Sequence, residues 1–308
     1  MSQTLKTLPS LRYSPKPGVI IPPRYVLRQR LAEGGVAEVW LAQDTEQQGH
    51  VAVKLQRHDS AVEGTIHMER EREALQRLQG IPQIVRLLGN GRWGGLHYLV
   101  LEYNAGMRLA DWIDFCRGPR PTGGYAGPRA DALPVIQQLC ATVAAVHRRG
   151  EGGGITHNDI NPSNIMIHEQ QVTLLDFGLA HLQHRPDLNR AGHFGTYGYM
   201  PPEQGPSATH MMGPSSDVFS LAIVVTELLT LRRTGPGERR WDHFAAHQYH
   251  DLFRYLCSLP LAVHHSVWSV LSKAMHPNPG QRFPDATHFQ DALIGCLLPM
   301  PLQLEQAS

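Results

Sequence analysis

The sequence predicts an α+β fold in which a small part made mainly of β-strands precedes a larger, mainly helical part. Short apolar runs rich in β-branched and aromatic residues, separated by turns, fill much of the first hundred residues, as strands do. Longer runs with apolar residues at helical spacing dominate the remainder. The predicted strands are 25–27, 51–54, 84–88 and 97–103, and the stretch 31–40 is predicted to be a hairpin that turns the first strand back. The predicted helices are 63–79, 109–116, 133–147 and 221–231.

Composition narrows the class of protein. The chain has 308 residues, 42% of them hydrophobic, which is enough for one large domain or two lobes, and a net charge of +1 gives no reason to expect a nucleic-acid partner. No apolar core follows a basic start, and the most apolar run, 221–231, is short and contains Glu227. The four cysteines show no C-x-x-C spacing. We therefore expect a cytoplasmic protein without a signal peptide or membrane span.

The stretch 155–167, I-T-H-N-D-I-N-P-S-N-I-M-I, has the composition of a polar loop between two buried anchors. The loop carries an acid, Asp159, and an amide, Asn164. The short apolar run 172–175 then ends in the sequence D-F-G, which supplies a second acid, Asp176. An acid that can accept a proton, with an amide and an acid that can hold a divalent metal, is the set that phosphoryl transfer requires.

The order and spacing of these motifs resemble the eukaryotic-like (Hanks-type) serine/threonine protein kinases, with bacterial members most similar. The resemblance extends to V-A-V-K at 51–54, G-T-Y-G-Y-M-P-P-E at 195–203 and P-N-P-G-Q-R-F at 277–283. It implies a bilobal kinase fold: an N-terminal arm (1–23), a kinase domain (24–300) and a tail (301–308). The small lobe would be about 24–103 and the large lobe about 104–300.

The resemblance also implies the roles of individual residues. Asp159 would orient and deprotonate a serine or threonine hydroxyl of a protein substrate, with Thr196 as its brace. Asn164 and Asp176 would hold Mg²⁺. Lys54 would hold the ATP phosphates and pair with Glu71, which is favoured over Glu69 and Glu73 because Leu75 and Leu78 follow it by four and seven residues. The residues expected to contact ATP are Leu31, Gly34, Val39, Ala52, Lys54, Leu101, and the backbone of Glu102 and Asn104. Arg282 would be the buried partner of Glu203.

Two departures from the family pattern concern the phosphate loop and the activation segment. Of the three family glycines in the hairpin 31–40, this chain keeps Gly34, while Ala32 and Ala37 take the outer positions, a pattern that a plain β-hairpin would also show. Asn158 replaces the arginine that usually pairs with an activation-segment phosphate. Because 179–195 also contains no Ser, Thr or Tyr, we expect no control by phosphorylation of this segment.

A third departure lies in the catalytic loop itself. Asn161 stands where the family has a lysine that touches the γ-phosphate. A hydrogen bond to a charged group contributes roughly 1.5–3 kcal/mol against about 1 kcal/mol for a neutral pair, so the exchange predicts a roughly five- to thirtyfold slower enzyme. Arg185 or Arg190 could supply the missing charge.

Several alternatives stay open at this point. A pseudokinase, which binds nucleotide or a partner without transfer, is favoured by Ala32, Ala37 and Asn161, and a small-molecule kinase is a further alternative. His243, His247 and His250 have the spacing of a zinc site or of a solvated helix face. The loop 117–129 is either a surface insertion or a docking site for an acidic partner, so a regulatory partner is also open.

Overall fold

The computed structural model describes residues 15–117, 132–149, 154–186, 188, 195–204, 212–231, 233 and 261–297. The chain divides into two compact units. Unit one contains the described residues up to Met68 together with Arg86–Tyr103. Unit two contains Glu69–Val85 and the described residues from Asn104 onward. The arm, lobe and tail limits given above stay predictions, and the His243–His250 cluster and most of loop 117–129 lie outside the described residues.

Unit one is an antiparallel sheet of six strands in the order β1-β2-β3-β4-β6-β5. Trp40, Val53 and Val100 face one another across three neighbouring strands and are all buried, so they form one row of the core of this unit. The strands are β1 (Ile20–Ile21), β2 (Tyr25–Glu33), β3 (Ala37–Asp44), β4 (His50–Gln56), β5 (Leu87–Trp93) and β6 (Leu96–Glu102).

The predicted strand 84–88 is wrong in its first half. Ile84 forms a parallel bridge with Leu174 inside unit two, and β5 begins at Leu87. The strand then continues through Gly89 and Gly91, residues that are depleted in strands and therefore hid its true extent in the sequence. An apolar run indicates burial, but it does not tell which unit buries it.

Unit two is mainly helical. Its central helix is α4, in which every side chain from Ser216 to Thr230 is buried, as expected for a helix that is apolar on most faces. The N-cap of α4 is Gly213, and Asp217 lies in the first turn of the helix. The helices are α1 (Ala61–Arg77), α2 (Leu109–Arg117), α3 (Ala132–Arg148), α4 (Pro214–Thr230), α5 (Leu261–Ala274) and α6 (Ala286–Leu297); α1 begins in unit one and ends in unit two.

Two small sheets of unit two present the loops that carry the acids. Strands β7 (Met107–Arg108), β9 (Ile165–His168) and β10 (Gln171–Leu174) form one sheet in the order β10-β9-β7. Strand β8 (Ile155–Thr156) pairs with β11 (His181–Leu182). The loop with Asp159 therefore runs from β8 to β9, and D-F-G lies between β10 and β11. None of the helices in the described ranges is long and apolar enough to cross a membrane.

Candidate active site

The backbone of the catalytic loop is anchored by Asp217 of α4, which is fully buried. Its carboxylate accepts hydrogen bonds from the N–H of His157 at 2.7 Å and of Asn158 at 2.8 Å, and these two bonds brace the backbone of the loop. The Nε2 atom of His147 lies 2.9 Å from the same carboxylate. Because Nδ1 of His147 accepts from the N–H of Ala286 at 3.1 Å, its Nε2 carries the proton and donates to Asp217. Sequence reasoning missed His147.

Asn158, which replaces the family arginine, makes two hydrogen bonds to other segments of unit two. Its φ of 64° lies in the left-handed region, which asparagine tolerates better than most residues. Its Nδ2 donates to the carbonyl of Leu179 at 3.0 Å, directly after D-F-G, and its own carbonyl accepts from Nε2 of Gln204 at 2.7 Å. The residue at this position thus connects the loop to the following segment through a neutral amide.

The carboxylate of Asp159 is surrounded by neutral donors. Its Oδ1 accepts from the backbone N–H of Thr196 at 2.9 Å, from Oγ1 of Thr196 at 2.8 Å and from Nδ2 of Asn161 at 3.1 Å. Its Oδ2 accepts from Nδ2 of Asn164 at 2.8 Å. The fold therefore brings three residues of the loop 155–167 together with Thr196 from the stretch 195–203, and the predicted contact between Thr196 and Asp159 is present.

Burial raises the pKa of the Asp159 carboxyl above its usual value. The hydrogen bonds from Thr196 act in the opposite direction, while the negative charge of Asp176 raises the pKa further. A carboxylate that is more basic than in water is better suited to accept a proton from a hydroxyl near neutral pH.

Asn161 is buried, and its hydrogen bonds lie inside the loop. Its Nδ2 donates to the backbone carbonyl and Oδ1 of Asp159, each at 3.1 Å, and to Oγ1 of Thr196 at 3.0 Å. Its Oδ1 accepts from the N–H of Ser163 at 2.9 Å, as the N-cap of the 3-10 helix Pro162–Asn164. Because the two N–H groups of the amide already serve three acceptors, neither is left to take over the phosphate contact of the family lysine.

Of the two arginines proposed to supply the charge of the missing lysine, the structure describes only Arg185. Arg185 lies 3.7 Å from a carboxylate oxygen of Glu73. Arg190 lies outside the described residues. Glu73 also contacts His184 at 3.3 Å and Arg77 at 3.4 Å.

The D-F-G turn is packed against the catalytic loop. The buried Phe177 ring lies 4.6 Å from the His157 ring, centroid to centroid. Asp176 has a φ of 57°, and its Oδ1 accepts from the N–H of Gly178 at 3.2 Å. Non-glycine residues in this backbone region cost energy and are concentrated at functional sites.

The proposed metal ligands fit Mg²⁺, which prefers oxygen donors and is usually held by one or two carboxylates together with substrate phosphates. Nδ2 of Asn164 donates to Asp159, which orients the side chain and leaves its Oδ1 as the oxygen donor. Asp176 is close enough to Asp159 for the two negative charges to repel each other. A cation at this position would relieve that repulsion. No group of three or more His, Cys, Asp or Glu side chains able to hold a metal occurs among the described residues.

The residues expected to contact ATP in unit one lie on adjacent strands. Val39 is paired with Lys54, and Ala52 is paired with Leu101. Lys54 is 7% exposed, which is unusual for a lysine and typical of one with a specific role. Leu31, at the end of β2, is 38% exposed. The N–H of Glu102 donates to the carbonyl of Arg86 at 2.9 Å, and the contact of the Glu102 backbone with an adenine base stays a prediction.

Gly34 lies in the turn between β2 and β3, and its N–H donates to the carbonyl of Ala37 at 2.9 Å. Its φ lies outside the left-handed region, and a Cβ built on it would meet its nearest neighbour at 3.5 Å, an ordinary contact. The turn itself therefore does not require a glycine at this position. The missing side chain would matter to a phosphate that approaches the backbone closely.

We therefore expect Gly34→Ala to change nucleotide binding without changing stability. The free energy of unfolding should stay within about 1 kcal/mol, because alanine fits the turn. The Kd for ATP should rise roughly fivefold, since the methyl group obstructs the phosphates and costs about 1 kcal/mol. Chemical denaturation and nucleotide titration of the same protein separate the two effects. A loss of stability with unchanged Kd would contradict this explanation.

The segment after β6 contains a glycine that sequence reasoning missed. A Cβ on Gly106 would lie 2.3 Å from the carbonyl oxygen of Ile167, so no larger residue fits without a backbone shift. Asn104 shapes the same turn: its Oδ1 accepts from the N–H of Gly106 at 2.8 Å, and its Nδ2 donates to Thr173 at 2.9 Å. The side chain of Asn104 is thus structural, and a contact of its backbone with a ligand stays a prediction.

The segment around 195–204 is held by buried ionic and polar contacts. Arg282 donates to both carboxylate oxygens of Glu203, at 2.6 and 2.8 Å, which confirms the predicted pair. The hydroxyl of Tyr199 donates to the carboxylate of Glu227 at 2.9 Å. These contacts fix the backbone next to Thr196 and therefore next to Asp159.

Glu71, the residue chosen among three glutamates of α1, is 1% exposed. Such burial favours a specific role over a solvated one. Its pairing with Lys54 stays a prediction. Its neighbour Arg70, which the sequence did not single out, is also fully buried.

Comparison with known proteins agrees with this geometry. The family model described as "Protein kinase domain" matches residues 25–292, so the chain belongs to the protein kinase family. It is 31% identical over 286 residues to the serine/threonine-protein kinase PknB of Mycolicibacterium smegmatis, covering 88% of this chain and 42% of that protein. It is 29% identical to PrkC of Bacillus subtilis, covering 85% of this chain and 39% of that protein.

The fold also resembles solved kinase structures. The kinase domain of PknI from Mycobacterium tuberculosis matches with a TM-score of 0.64 and 21% identity, covering 92% of this chain and 99% of that domain. This confirms the predicted α+β kinase fold. The chain spans about half of the length, or less, of the curated relatives that it matches. Members of this family generally use ATP and Mg²⁺.

Proposed function

We propose that this chain is a serine/threonine protein kinase, which transfers the γ-phosphoryl group of ATP to a hydroxyl of a protein substrate. The observation that carries the proposal is the placement of Asp159. Its carboxylate is held by Thr196, Asn161 and Asn164 through the four hydrogen bonds described above. A base that is fixed in this way can orient an acceptor hydroxyl without losing further conformational entropy of its own.

The roles of the remaining residues follow from their chemistry. Asp159 accepts the proton of the acceptor hydroxyl as the bond to phosphorus forms. Asn164 and Asp176 would hold Mg²⁺, which neutralises charge on the phosphates when bound. Lys54 would contact the phosphates, and the backbone of Glu102 and Asn104 would hold the base. Asn161 acts as the brace of Asp159.

A pseudokinase is the second candidate, because Asn161 brings no positive charge to the γ-phosphate. The complete set of base and metal ligands argues against it. A small-molecule kinase is disfavoured by the Glu203–Arg282 pair and the segment it supports, which in this family serve an extended polypeptide. The absence of control by activation-segment phosphorylation, a regulatory partner and the cytoplasmic location stay predictions.

One assay separates these three functions. The purified chain is mixed with γ-labelled ATP, Mg²⁺ and either a generic basic protein or an aminoglycoside. We expect label on serine or threonine of the protein. Nucleotide binding without transfer would establish the pseudokinase, and label on the aminoglycoside alone would establish the small-molecule kinase.

The metal ligands are tested by Asp176→Ala. We expect this variant to lose both Mg²⁺-dependent nucleotide binding and turnover, because one of two protein ligands to the metal is removed. Titration with ATP in the presence and in the absence of Mg²⁺ measures the effect. If Mg²⁺ strengthens ATP binding equally in wild type and variant, Asp176 does not hold the metal.

A further inference from the structure

Arg70, on the part of α1 that belongs to unit two, is a buried cation with unusual partners. It is fully buried, yet in the described part of the chain its guanidinium donates to carbonyl oxygens and to no carboxylate. Nη1 donates to the carbonyl of Gly178 at 3.0 Å. Nε donates to the carbonyl of Leu188 at 3.1 Å, and Nη2 donates to the same oxygen. Buried charges are normally paired, so this placement calls for a functional reason.

The two carbonyls mark the ends of the segment that follows the metal-binding turn. Gly178 is the last residue of D-F-G, and Leu188 lies ten residues later. Arg70 therefore closes a loop that begins two residues after Asp176. Burial lowers the pKa of the guanidinium to about 10, so it stays protonated at neutral pH.

Other contacts hold the same segment between those two points. Nδ2 of Asn158 binds the carbonyl of Leu179, and β11 pairs with β8. Glu73, one turn after Arg70 on α1, contacts His184 at 3.3 Å and Arg185 at 3.7 Å. These attachments use backbone carbonyls and a carboxylate as acceptors, and 179–195 offers no hydroxyl that could carry a phosphate.

We propose that Arg70 is a positioning residue that holds the segment after D-F-G, and with it Asp176, in the working conformation in place of an activation-segment phosphate. The proposal rests on the proposed kinase function. An arginine suits this task because its planar fork donates in several fixed directions at once and can therefore bind two carbonyls. A lysine at this position would offer a single ammonium group.

The test compares Arg70→Met with Arg72→Met. Both variants remove one arginine from the same helix, but Arg72 binds Gln76 one turn further along it. We expect Arg70→Met to lower kcat at saturating ATP at least tenfold and to raise the KM for ATP, since both Asp176 and the segment lose their support. Arg72→Met should match wild type. Arg70→Lys, which preserves the charge, should recover part of the lost kcat.

Hydrogen exchange supplies a readout that does not depend on catalysis. In Arg70→Met, amides of 178–188 should exchange at least tenfold faster, while those of β9 and α4 should match Arg72→Met. Equal kcat and equal exchange of 178–188 in the two methionine variants would overturn the proposal. If Arg70→Met does not fold, the same comparison is made with Arg70→Lys. If wild type transfers no phosphate, the kinase function fails, and hydrogen exchange still decides whether Arg70 holds the segment.

Discussion

Asp159→Asn is expected to lower phosphoryl transfer at least about 100-fold while ATP binding stays within about threefold of wild type. General base catalysis typically contributes 10²–10⁴-fold, and an amide cannot accept the proton of the hydroxyl. ATP binding should survive because the base acts on the hydroxyl and not on the nucleotide. The rate of label transfer at saturating ATP and the Kd for ATP measure the two quantities.

Asp111→Asn is the matched control, because Asp111 is an exposed aspartate on α2. It should behave as wild type in both measurements. Thermal unfolding of the two variants shows whether the hydrogen bonds around residue 159 survive the exchange. If Asp159→Asn transferred phosphate at the rate of wild type, Asp159 could not be the general base.

Asn161→Asp is expected to cost more activity than Asn161→Ala. The aspartate still accepts from the N–H of Ser163 and caps the short 3-10 helix, since Asp and Asn are equally good N-caps. It loses the N–H groups that bind Asp159 and Thr196, and it places a second negative charge about 3 Å from the base. Like charges at 4 Å repel by about 4 kcal/mol at an effective dielectric constant of 20.

We therefore expect kcat to fall at least about 100-fold in Asn161→Asp and about tenfold in Asn161→Ala, where the loss of the donors costs about 1.4 kcal/mol. The decisive result is which of the two variants has the lower kcat. If Asn161 served as a helix cap alone, aspartate would preserve activity and alanine would not, so the order would be reversed.

The motifs of the sequence identified acids and amides that lie close together in the fold, because each lies at a fixed distance from a recognisable anchor in the sequence. The orientation of Asn161 could not be predicted in this way. From the sequence it replaces a lysine that contacts phosphate, whereas in the fold its donors point to Asp159 and Thr196. Asn161→Lys is expected to slow turnover, because a lysine side chain has no oxygen that could accept from the N–H of Ser163 and cap the 3-10 helix.

The features that the sequence did not reveal depend on contacts between distant parts of the chain. Arg70 binds carbonyls 108 and 118 residues away, and His147 binds Asp217 at a separation of 70 residues. Gly106 is required because the carbonyl of Ile167 lies against it. Composition and periodicity report burial along one element, and they contain no information about which distant backbone group a side chain will meet.

We infer that Asp159 is assembled for transfer by the chain itself, without an activation-segment phosphate. The most direct test is the initial rate of γ-phosphoryl transfer by wild-type protein after a phosphatase has removed all phosphate, as shown by its mass. The structure predicts label on serine or threonine of a generic basic protein at the same initial rate as for untreated protein. Tight binding of Mg²⁺ and ATP with no transfer, or a rate that appears when the chain is phosphorylated again, would contradict it.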